Sequence, residues 1–296
     1  MPELPEVQTI VNQLQVRIIG KKIKAVDIRL AKMIQGVTSQ QFKKAVVGSK
    51  IKNINRRAKL LIINLSNKYS LIIHLKLSGQ IIYQPGILNQ STKQSFMLGR
   101  AHKIMCSGLK SNRHTHLIYY FAGGSALLHN DVRQFGWVKL VKTSEVGDYF
   151  QKEGFGPEPL DKNFTLEKFK KLLFQKPRQK IKPLLMDQKF IAGIGNIYAQ
   201  EACFCAKILP TRIVKTLEEQ EIKDLYNCLI KILKKAIICR GSSVDDYLDA
   251  GGEKGSYVCY LKVYDRLNKK CARCSGIIKK IVLAGRGTYF CPKCQT

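Results

Sequence analysis

The sequence predicts an α+β protein: an N-terminal β-sandwich or β-barrel that begins with a helix, a helical region, and a C-terminal zinc-ribbon hairpin. Three observations predict this order. Short apolar runs separated by turn residues fill residues 26–141, apolar residues with helical spacing follow from residue 164 to 239, and two Cys-x2-Cys pairs end the chain. The expected domains are 1–150, 151–256 and 257–296, with a Gly/Pro-rich linker at 154–159.

The first predicted element is a helix. Pro5 suits a first helical position, and Glu3 and Glu6 lie near the positive end of the helix dipole. Gly20 is the expected end of the helix. The apolar residues that recur with helical spacing are Val7, Ile10, Val11, Leu14 and Ile18.

Pro2 is a candidate nucleophile. Removal of Met1 would leave Pro2 with a free secondary amine, and with a pKa of about 7.7–8.0 roughly a tenth of it is neutral at pH 7. Attack by this amine on the anomeric carbon of a sugar would give an iminium ion, which makes elimination easier. By itself the pattern favours a stiff helix start, whereas the remaining motifs favour the nucleophile.

The strands come next in the chain. Two hairpins are predicted, one around Ser66–Lys68 and one around Ala122–Gly124, and residues 86–112 are expected to form a long loop insertion. The predicted strands include Val26–Leu30, Leu60–Leu65, Leu71–Leu77, His116–Phe121, Ser125–His129 and Trp137–Val141.

Helices follow the linker, and residues 241–255 are expected to be a mobile loop because they are rich in glycine, serine and aspartate. The predicted helices are Phe164–Phe174, Ile181–Met186, Asn196–Phe204 and Leu217–Cys239.

The net charge of +30 over 296 residues predicts a polyanionic partner, most simply nucleic acid. No apolar stretch reaches the roughly 18–20 residues of a membrane span, and the N-terminus lacks an apolar signal-peptide run, so a cytoplasmic protein without a membrane partner is expected. Ten cysteines in such a protein do not indicate a disulfide framework. The six unclustered ones are expected to be reduced and mostly buried: Cys106, Cys203, Cys205, Cys228, Cys239 and Cys259.

The other four cysteines have zinc-ribbon spacing, with sixteen residues between the pairs. Four thiolates fill a tetrahedral shell, so one structural Zn²⁺ is predicted, and an iron–sulfur site is the alternative. Arg286 lies in a glycine-flanked turn between the two Cys-x2-Cys pairs. There it can contact a ligand or be an ordinary exposed residue. The predicted ligands are Cys271, Cys274, Cys291 and Cys294.

Three further segments point to nucleic acid. The paired glycines before Asn196 predict a turn whose helix N-terminus can bind phosphate. Arg133 and Phe135 follow a strand and could replace a base that leaves a duplex, although a salt bridge and a core position explain them equally well. Lys59 lies at the start of a strand that could run under the active site, and His74 ends the next strand.

Together these segments resemble bacterial formamidopyrimidine-DNA glycosylases from end to end. Leu4 favours this family over the similar endonuclease VIII group, which typically has glycine there. The matching segments are residues 2–7, 57–59, 74–79, 131–136, 156–160, 193–198 and 284–292.

The resemblance implies that the N-terminal domain is a β-sandwich, that the helical domain contains a helix–two-turns–helix element and that a zinc finger follows. It also implies that DNA lies in a cleft between the domains. Pro2 would be the Schiff-base nucleophile and Glu3 the proton donor, while Lys59 would assist β-elimination and Arg286 the later δ-elimination. The implied DNA contacts are His74, His114, Arg133, Arg178, Asn196 and Arg286; Leu77 and Phe135 would fill the void left by the flipped base, and Ser242, Ser243 and Tyr247 would belong to a lid over the lesion.

The chain departs from the family pattern at three places. Leu77 stands where a methionine is usual, Gln134 replaces a common basic residue, and 86–112 is longer than usual, which makes the alignment before His114 less secure. The expected activity is base-excision repair: removal of 8-oxoguanine and formamidopyrimidines from double-stranded DNA, followed by β,δ-elimination at the abasic site. The alternatives are an endonuclease VIII-like enzyme for oxidised pyrimidines and a non-catalytic damage-binding protein. A monomer that associates with the nucleoid is expected.

Overall fold

The structure is a computed structural model that describes residues 1–86, 94–98, 102–106 and 111–296. The helices are α1 (Leu4–Ile18), α2 (Ser39–Val46), α3 (Val146–Glu153), α4 (Leu166–Phe174), α5 (Ile181–Met186), α6 (Asn196–Cys205) and α7 (Glu219–Ile238). The strands are β1 (Ile23–Ile28), β2 (Ile34–Gln35), β3 (Ile51–Arg57), β4 (Leu60–Leu65), β5 (Tyr69–His74), β6 (Gly79–Gln84), β7 (Gln94–Leu98), β8 (His102–Cys106), β9 (Thr115–Phe121), β10 (Ala126–Asp131), β11 (Trp137–Lys142), β12 (Lys279–Leu283) and β13 (Arg286–Phe290).

These elements form two compact units. The first contains Met1–Glu153 and Cys239–Val258, and the second contains Gly154–Ile238 and Cys259–Thr296. The three-domain division stays a prediction, and the compact units differ from it because residues 239–258 fold with the N-terminal unit. Among the described residues, no helix has both the length and the apolar character that membrane crossing requires.

The first unit is the predicted β-sandwich with α1 against it. One sheet has the order β1-β9-β10-β6 and the other β2-β11-β5-β4-β3, and every neighbouring pair is antiparallel except β2 and β11. Side chains from both sheets and from α1 share one buried core, in which Ile10, Ile73 and Leu117 are fully buried. The apolar face of α1 therefore anchors the start of the chain to the sandwich.

Both predicted hairpins are confirmed. Strands β4 and β5 pair across Ser66–Lys68, and β9 pairs with β10 across a turn in which Gly123 and Gly124 both have positive φ. This conformation explains the paired glycines, since residues with a side chain rarely adopt it.

The prediction of one long loop over residues 86–112 is wrong where the structure describes that range. Strands β7 and β8 pair antiparallel within it, with Phe96 opposite Ile104. Two strands of five residues are too short to give a strong alternation signal in the sequence. Residues 87–93, 99–101 and 107–110 of this range lie outside the described residues.

The second unit has the predicted helices, and α6 and α7 are joined by a disulfide. Cys205 at the end of α6 is bonded to Cys228 within α7, with their Cα atoms 5.8 Å apart, so the prediction of reduced thiols is wrong for this pair. The two helices pack side by side, which places residues 23 apart in sequence at bonding distance. Of the other cysteines in this group, Cys203 and Cys239 are buried and reduced as predicted, while Cys259 is reduced but exposed.

Replacing Cys228 should destabilise the oxidised protein. The disulfide closes a loop of about 24 residues, so Cys228→Ser is expected to lower the free energy of unfolding by about 3 kcal/mol through the larger entropy of the unfolded chain. Urea unfolding of oxidised wild type and variant measures the difference, and repetition after reduction is the matched control. Equal stability of the two oxidised proteins would contradict the disulfide.

Candidate active site and nucleic-acid interface

The start of α1 is buried and is fixed by a carboxylate. Glu3 is 1 % exposed and is the residue before the first helical position, and its backbone N–H donates to Oε2 of Glu6 at 2.8 Å. Glu6 is itself only 1 % exposed. The chain terminus is thus held in one conformation, a condition that a reactive terminal amine must meet.

The other oxygen of Glu6 binds the segment predicted as a lid. Oε1 accepts the backbone N–H of Ser242 at 2.8 Å. A Cβ on Gly241 would lie 2.8 Å from this oxygen, and the φ of Gly241 is +83°, so a side chain would disrupt the contact. One carboxylate therefore joins the beginning of α1 to a segment more than 200 residues away.

The predicted lid residues also hold one another. Ser243 Oγ donates to the carbonyl of Tyr247 at 2.8 Å and accepts the N–H of Gly255 at 2.9 Å. Tyr247 is buried, and this burial raises the pKa of its hydroxyl well above the usual value, so the hydroxyl stays protonated. Ser242, Ser243 and Tyr247 therefore lie together, in the unit that carries α1.

Gln13, farther along α1, attaches the helix to residues 249 and 250. Gln13 Nε2 donates to Oδ2 of Asp249 at 2.8 Å, and Gln13 Oε1 accepts the N–H of Ala250 at 2.7 Å. Arg240 also donates to Asp249, at 3.0 Å. Residues 247–250 are consequently buried, although the sequence predicted a mobile loop over 241–255.

Lys59 lies in the turn between β3 and β4, close to α1. It is 8 % exposed, and Ala58 before it has a φ of 53°. Arg56 ties this turn to the helix, because its guanidinium donates to the carbonyl of Ala58 at 2.8 Å and to Oε1 of Gln8 at 2.9 Å. Lys59 precedes the strand that it was predicted to begin, since β4 starts at Leu60.

His74 ends β5 as a neutral side chain. Burial lowers its pKa to about 3, with further lowering by the charges of Lys76 and Lys59. Its Nδ1 accepts the N–H of Lys76 at 2.9 Å, so the proton of the neutral ring is on Nε2. His74 can therefore donate one hydrogen bond to a phosphate without bringing a charge.

Asp131 joins the loop of Leu77 to the loop of Arg133 and Phe135. It is fully buried and accepts Ser78 Oγ at 2.5 Å, the N–H of Arg133 at 3.2 Å and the N–H of Gly136 at 2.6 Å. The side chains that the loops carry remain outside: Phe135 is 58 % exposed, Arg133 is exposed and Leu77 is half-buried. A ring and a guanidinium presented in this way can enter a base stack.

His114 is held against the same loop. The carbonyl of His114 accepts the N–H of Asp131 at 2.9 Å, and its Nε2 accepts Arg113 Nε at 3.1 Å. The predicted DNA contacts of the first unit thus lie on loops that hydrogen bonds connect.

In the second unit, Asn196 begins α6 as predicted, but a buried lysine occupies its side-chain oxygen. Nζ of Lys182, on α5, donates to Oδ1 of Asn196 at 2.6 Å and to Oγ1 of Thr288 at 2.7 Å. Lys182 is fully buried. No pattern in the sequence predicted a role for Lys182; its signal was a single cation within the apolar run of a short helix.

The two predicted arginines of this unit are exposed. Arg286 opens β13 after a tight turn in which Ala284 and Gly285 have φ values of 49° and 70°. Arg178 is exposed between α4 and α5. Arg286 is therefore presented at a hairpin tip, as predicted.

The four predicted metal ligands converge. Their Sγ atoms all lie within 4.8 Å of one another, with Cys271 3.8 Å from Cys294 and Cys274 3.5 Å from Cys291. These distances suit four thiolates around one ion. The cysteines thus form the ligand set of one structural Zn²⁺, and they leave no position open for a substrate.

Three family models match most of the chain. Residues 1–138 match the formamidopyrimidine-DNA glycosylase N-terminal domain, residues 155–247 the formamidopyrimidine-DNA glycosylase H2TH domain, and residues 268–296 the zinc finger found in FPG and IleRS.

Similar full-length proteins carry the same name. The formamidopyrimidine-DNA glycosylases of Pelotomaculum thermopropionicum and Streptococcus mutans are 40 % and 38 % identical, each covering 100 % of this chain and 99 % of the relative. A crystal structure of Lactococcus lactis Fpg with DNA containing an abasic site is 36 % identical, with a TM-score of 0.85 and 99 % of each chain covered. The chain belongs to the formamidopyrimidine-DNA glycosylase family.

Proposed function

We propose that the protein, after removal of Met1, excises oxidised purines from double-stranded DNA through a Schiff base on Pro2 and then cleaves the abasic site. The observation that carries this proposal is the buried start of α1, where Glu3 follows Pro2 and Glu6 fixes the backbone of Glu3 at 2.8 Å. A held amine next to a carboxyl group is suited to covalent attack with acid assistance.

The positive net charge of the protein is proposed to drive its initial binding to DNA. A protein of net charge +30 releases counterions from DNA, which gives affinity without sequence preference. Arg133 and Phe135 are proposed to enter the stack as the damaged nucleotide leaves it, and Leu77 fills part of the remaining void. The bond from Ser78 to Asp131 supports this assignment, since it holds the loops of these residues together.

Base removal and strand cleavage are proposed to begin at the first residues of the chain. The neutral nitrogen of Pro2 forms a bond to the anomeric carbon while the bond from this carbon to the base breaks, and the proton that the nitrogen loses goes to the departing base. Glu3 protonates the ring oxygen, which opens the sugar to an iminium ion. Loss of a proton from the neighbouring carbon expels the 3′ phosphate, with assistance from Lys59. A second elimination, assisted by Arg286, expels the 5′ phosphate.

Phosphate contacts are assigned to the remaining site residues. His74, His114, Arg178 and Asn196 are proposed to bind the backbone, and Ser242, Ser243 and Tyr247 to face the extruded base. The neutral state of His74 supports its assignment, because Nε2–H can donate while Nδ1 accepts from Lys76.

The protein is further proposed to act as a monomer on nucleoid DNA in the cytoplasm. The net charge of +30 and the bacterial origin of its relatives support this proposal.

Borohydride should trap the protein on damaged DNA through Pro2. A duplex with 8-oxoguanine opposite cytosine is expected to give a covalent adduct and strand cleavage, both well above those on a thymine-glycol duplex. Mass spectrometry of the N-terminus on the same sample reports Met1 removal. Equal trapping by protein that retains Met1, or an unaltered yield with Pro2→Gly, would argue against the proline.

Arg286→Ala should weaken DNA binding and stall the second elimination. Loss of one phosphate contact is expected to reduce the slope of log affinity against log salt by about 0.9. The matched control is Lys279→Ala, which removes an exposed cation from the other end of the same hairpin, opposite Phe290. An unchanged slope and unchanged products for Arg286→Ala would refute its assignment.

Chelation of zinc should loosen DNA binding, because the hairpin that presents Arg286 lies between the cysteine pairs. Affinity for abasic DNA is expected to fall by at least about tenfold. Attack within a complex formed before chelation should continue, as single-turnover trapping would report. Full DNA affinity in metal-free protein would contradict the role of the ion.

A further inference from the structure

The turn that carries Lys59 contains a buried alanine in a backbone conformation that alanine rarely adopts. Strands β3 and β4 pair up to Arg57 and Leu60. Their connection is therefore only two residues long, Ala58 and Lys59. Ala58 has a φ of 53°, whereas tight hairpin turns usually place glycine, asparagine or aspartate at a position with positive φ. The turn thus needs contacts outside itself to keep Lys59 in one place.

Arg56 supplies two such contacts. One terminal nitrogen of its guanidinium donates to the carbonyl of Ala58 at 2.8 Å, which fixes the peptide group that leads into Lys59. Its Nε donates to Oε1 of Gln8 at 2.9 Å, and Gln8 lies in α1, which packs against β3 and β4. A guanidinium holds its donors in one rigid plane. The two bonds therefore fix the turn relative to the helix that has the proposed nucleophile at its start.

The role proposed for Lys59 requires this kind of support. Lys59 is buried, and the residue after it pairs with His74 at the end of β5. A side chain that assists loss of a proton from the sugar must lie within hydrogen-bond reach of the reacting atoms, and a displacement of about 1 Å can slow a reaction about a hundredfold. We propose that Arg56 is a positioning residue that holds Lys59 in place for β-elimination. This inference rests on the proposed functions of Pro2 and Lys59.

The contacts of Arg56 differ from those expected of a cation that binds DNA by charge alone. Its Nε and one terminal nitrogen donate to acceptors within the protein, and the side chain is half-buried. Lys52, at the opposite end of β3, is exposed. Replacement of Lys52 by methionine changes the net charge by the same amount as Arg56→Met and leaves the turn intact, so it is the matched control.

The first test measures the accessibility of Lys59 without DNA. Full-length protein is treated briefly with an amine-acetylating reagent, and the acetylation of each lysine is followed by mass spectrometry. In Arg56→Met, and in Gln8→Met, which removes the acceptor on α1, Lys59 should be acetylated at least about threefold faster than in wild type because the turn opens more often. Lys52→Met should leave this rate unchanged. Equal rates in all four proteins would overturn the inference.

The second test separates formation of the Schiff base from elimination. Single-turnover cleavage of abasic DNA measures the elimination, and borohydride trapping measures the Schiff base in the same samples. Arg56→Met should slow cleavage at least about tenfold, raise the trapped fraction at early times and change DNA affinity by less than about twofold. A fall of cleavage and trapping together would indicate a merely structural role and would overturn the inference.

A double variant tests whether Arg56 acts through Lys59. Once Lys59→Met has removed the side chain that is positioned, the further change Arg56→Met should alter the cleavage rate by less than about twofold. Multiplication of the two single effects would overturn the inference and leave the proposed function intact. Absence of both trapping and cleavage with wild type would instead overturn the proposed function, and the acetylation rates would still decide whether Arg56 holds Lys59.

Discussion

The buried carboxylate of Glu6 is the constraint on which the candidate active site depends. Its two oxygens accept the N–H groups of Glu3 and Ser242, each at 2.8 Å. A buried carboxylate without such donors would be strongly destabilising, so the helix start and the later segment must stay in contact for the charge to be tolerated. The start of α1 thereby gains the order of a folded interior.

Buried polar side chains make similar connections at two other places. Asp131 joins the loop of Ser78 to the loop of Arg133, and Lys182 joins the first turn of α6 to Thr288 in the ribbon hairpin. The bond from Ser78 to Asp131 and the bond from Lys182 to Thr288 connect segments that are distant in sequence. Apolar packing supplies the stability of both units, whereas these polar bonds decide where the exposed residues lie.

Much of the fold, and the set of metal ligands, could be predicted from local patterns in the sequence. The helix at Leu4–Ile18 and the hairpin of Leu60–His74 follow from apolar spacing, and the cysteine spacing gave the ligand set. Strand β3 was missed because only Ile51 and Ile54 are buried in it, so it lacks regular alternation. Helix α2 was missed although Thr38 and Gln41 form a capping box at its N-terminus.

The features that escaped prediction depend on contacts between distant residues. The burial of Lys182 and the attachment of Ser242 to Glu6 require the tertiary fold, and no local pattern specifies either partner. The bond between Cys205 and Cys228 was missed for a related reason, since the expected reducing compartment argued against any disulfide. The resemblance to a family predicted which residues belong to the site, and the structure shows the contacts that hold these residues.

The disulfide also supports the segment that carries the first two zinc ligands. Arg273, between these two ligands, donates to the carbonyls of Phe204 and Cys205, so this segment lies against the end of α6. Cys205 is in turn bonded to Cys228 of α7. The crosslink therefore restrains the helix end on which this part of the zinc ribbon rests, as well as joining two helices.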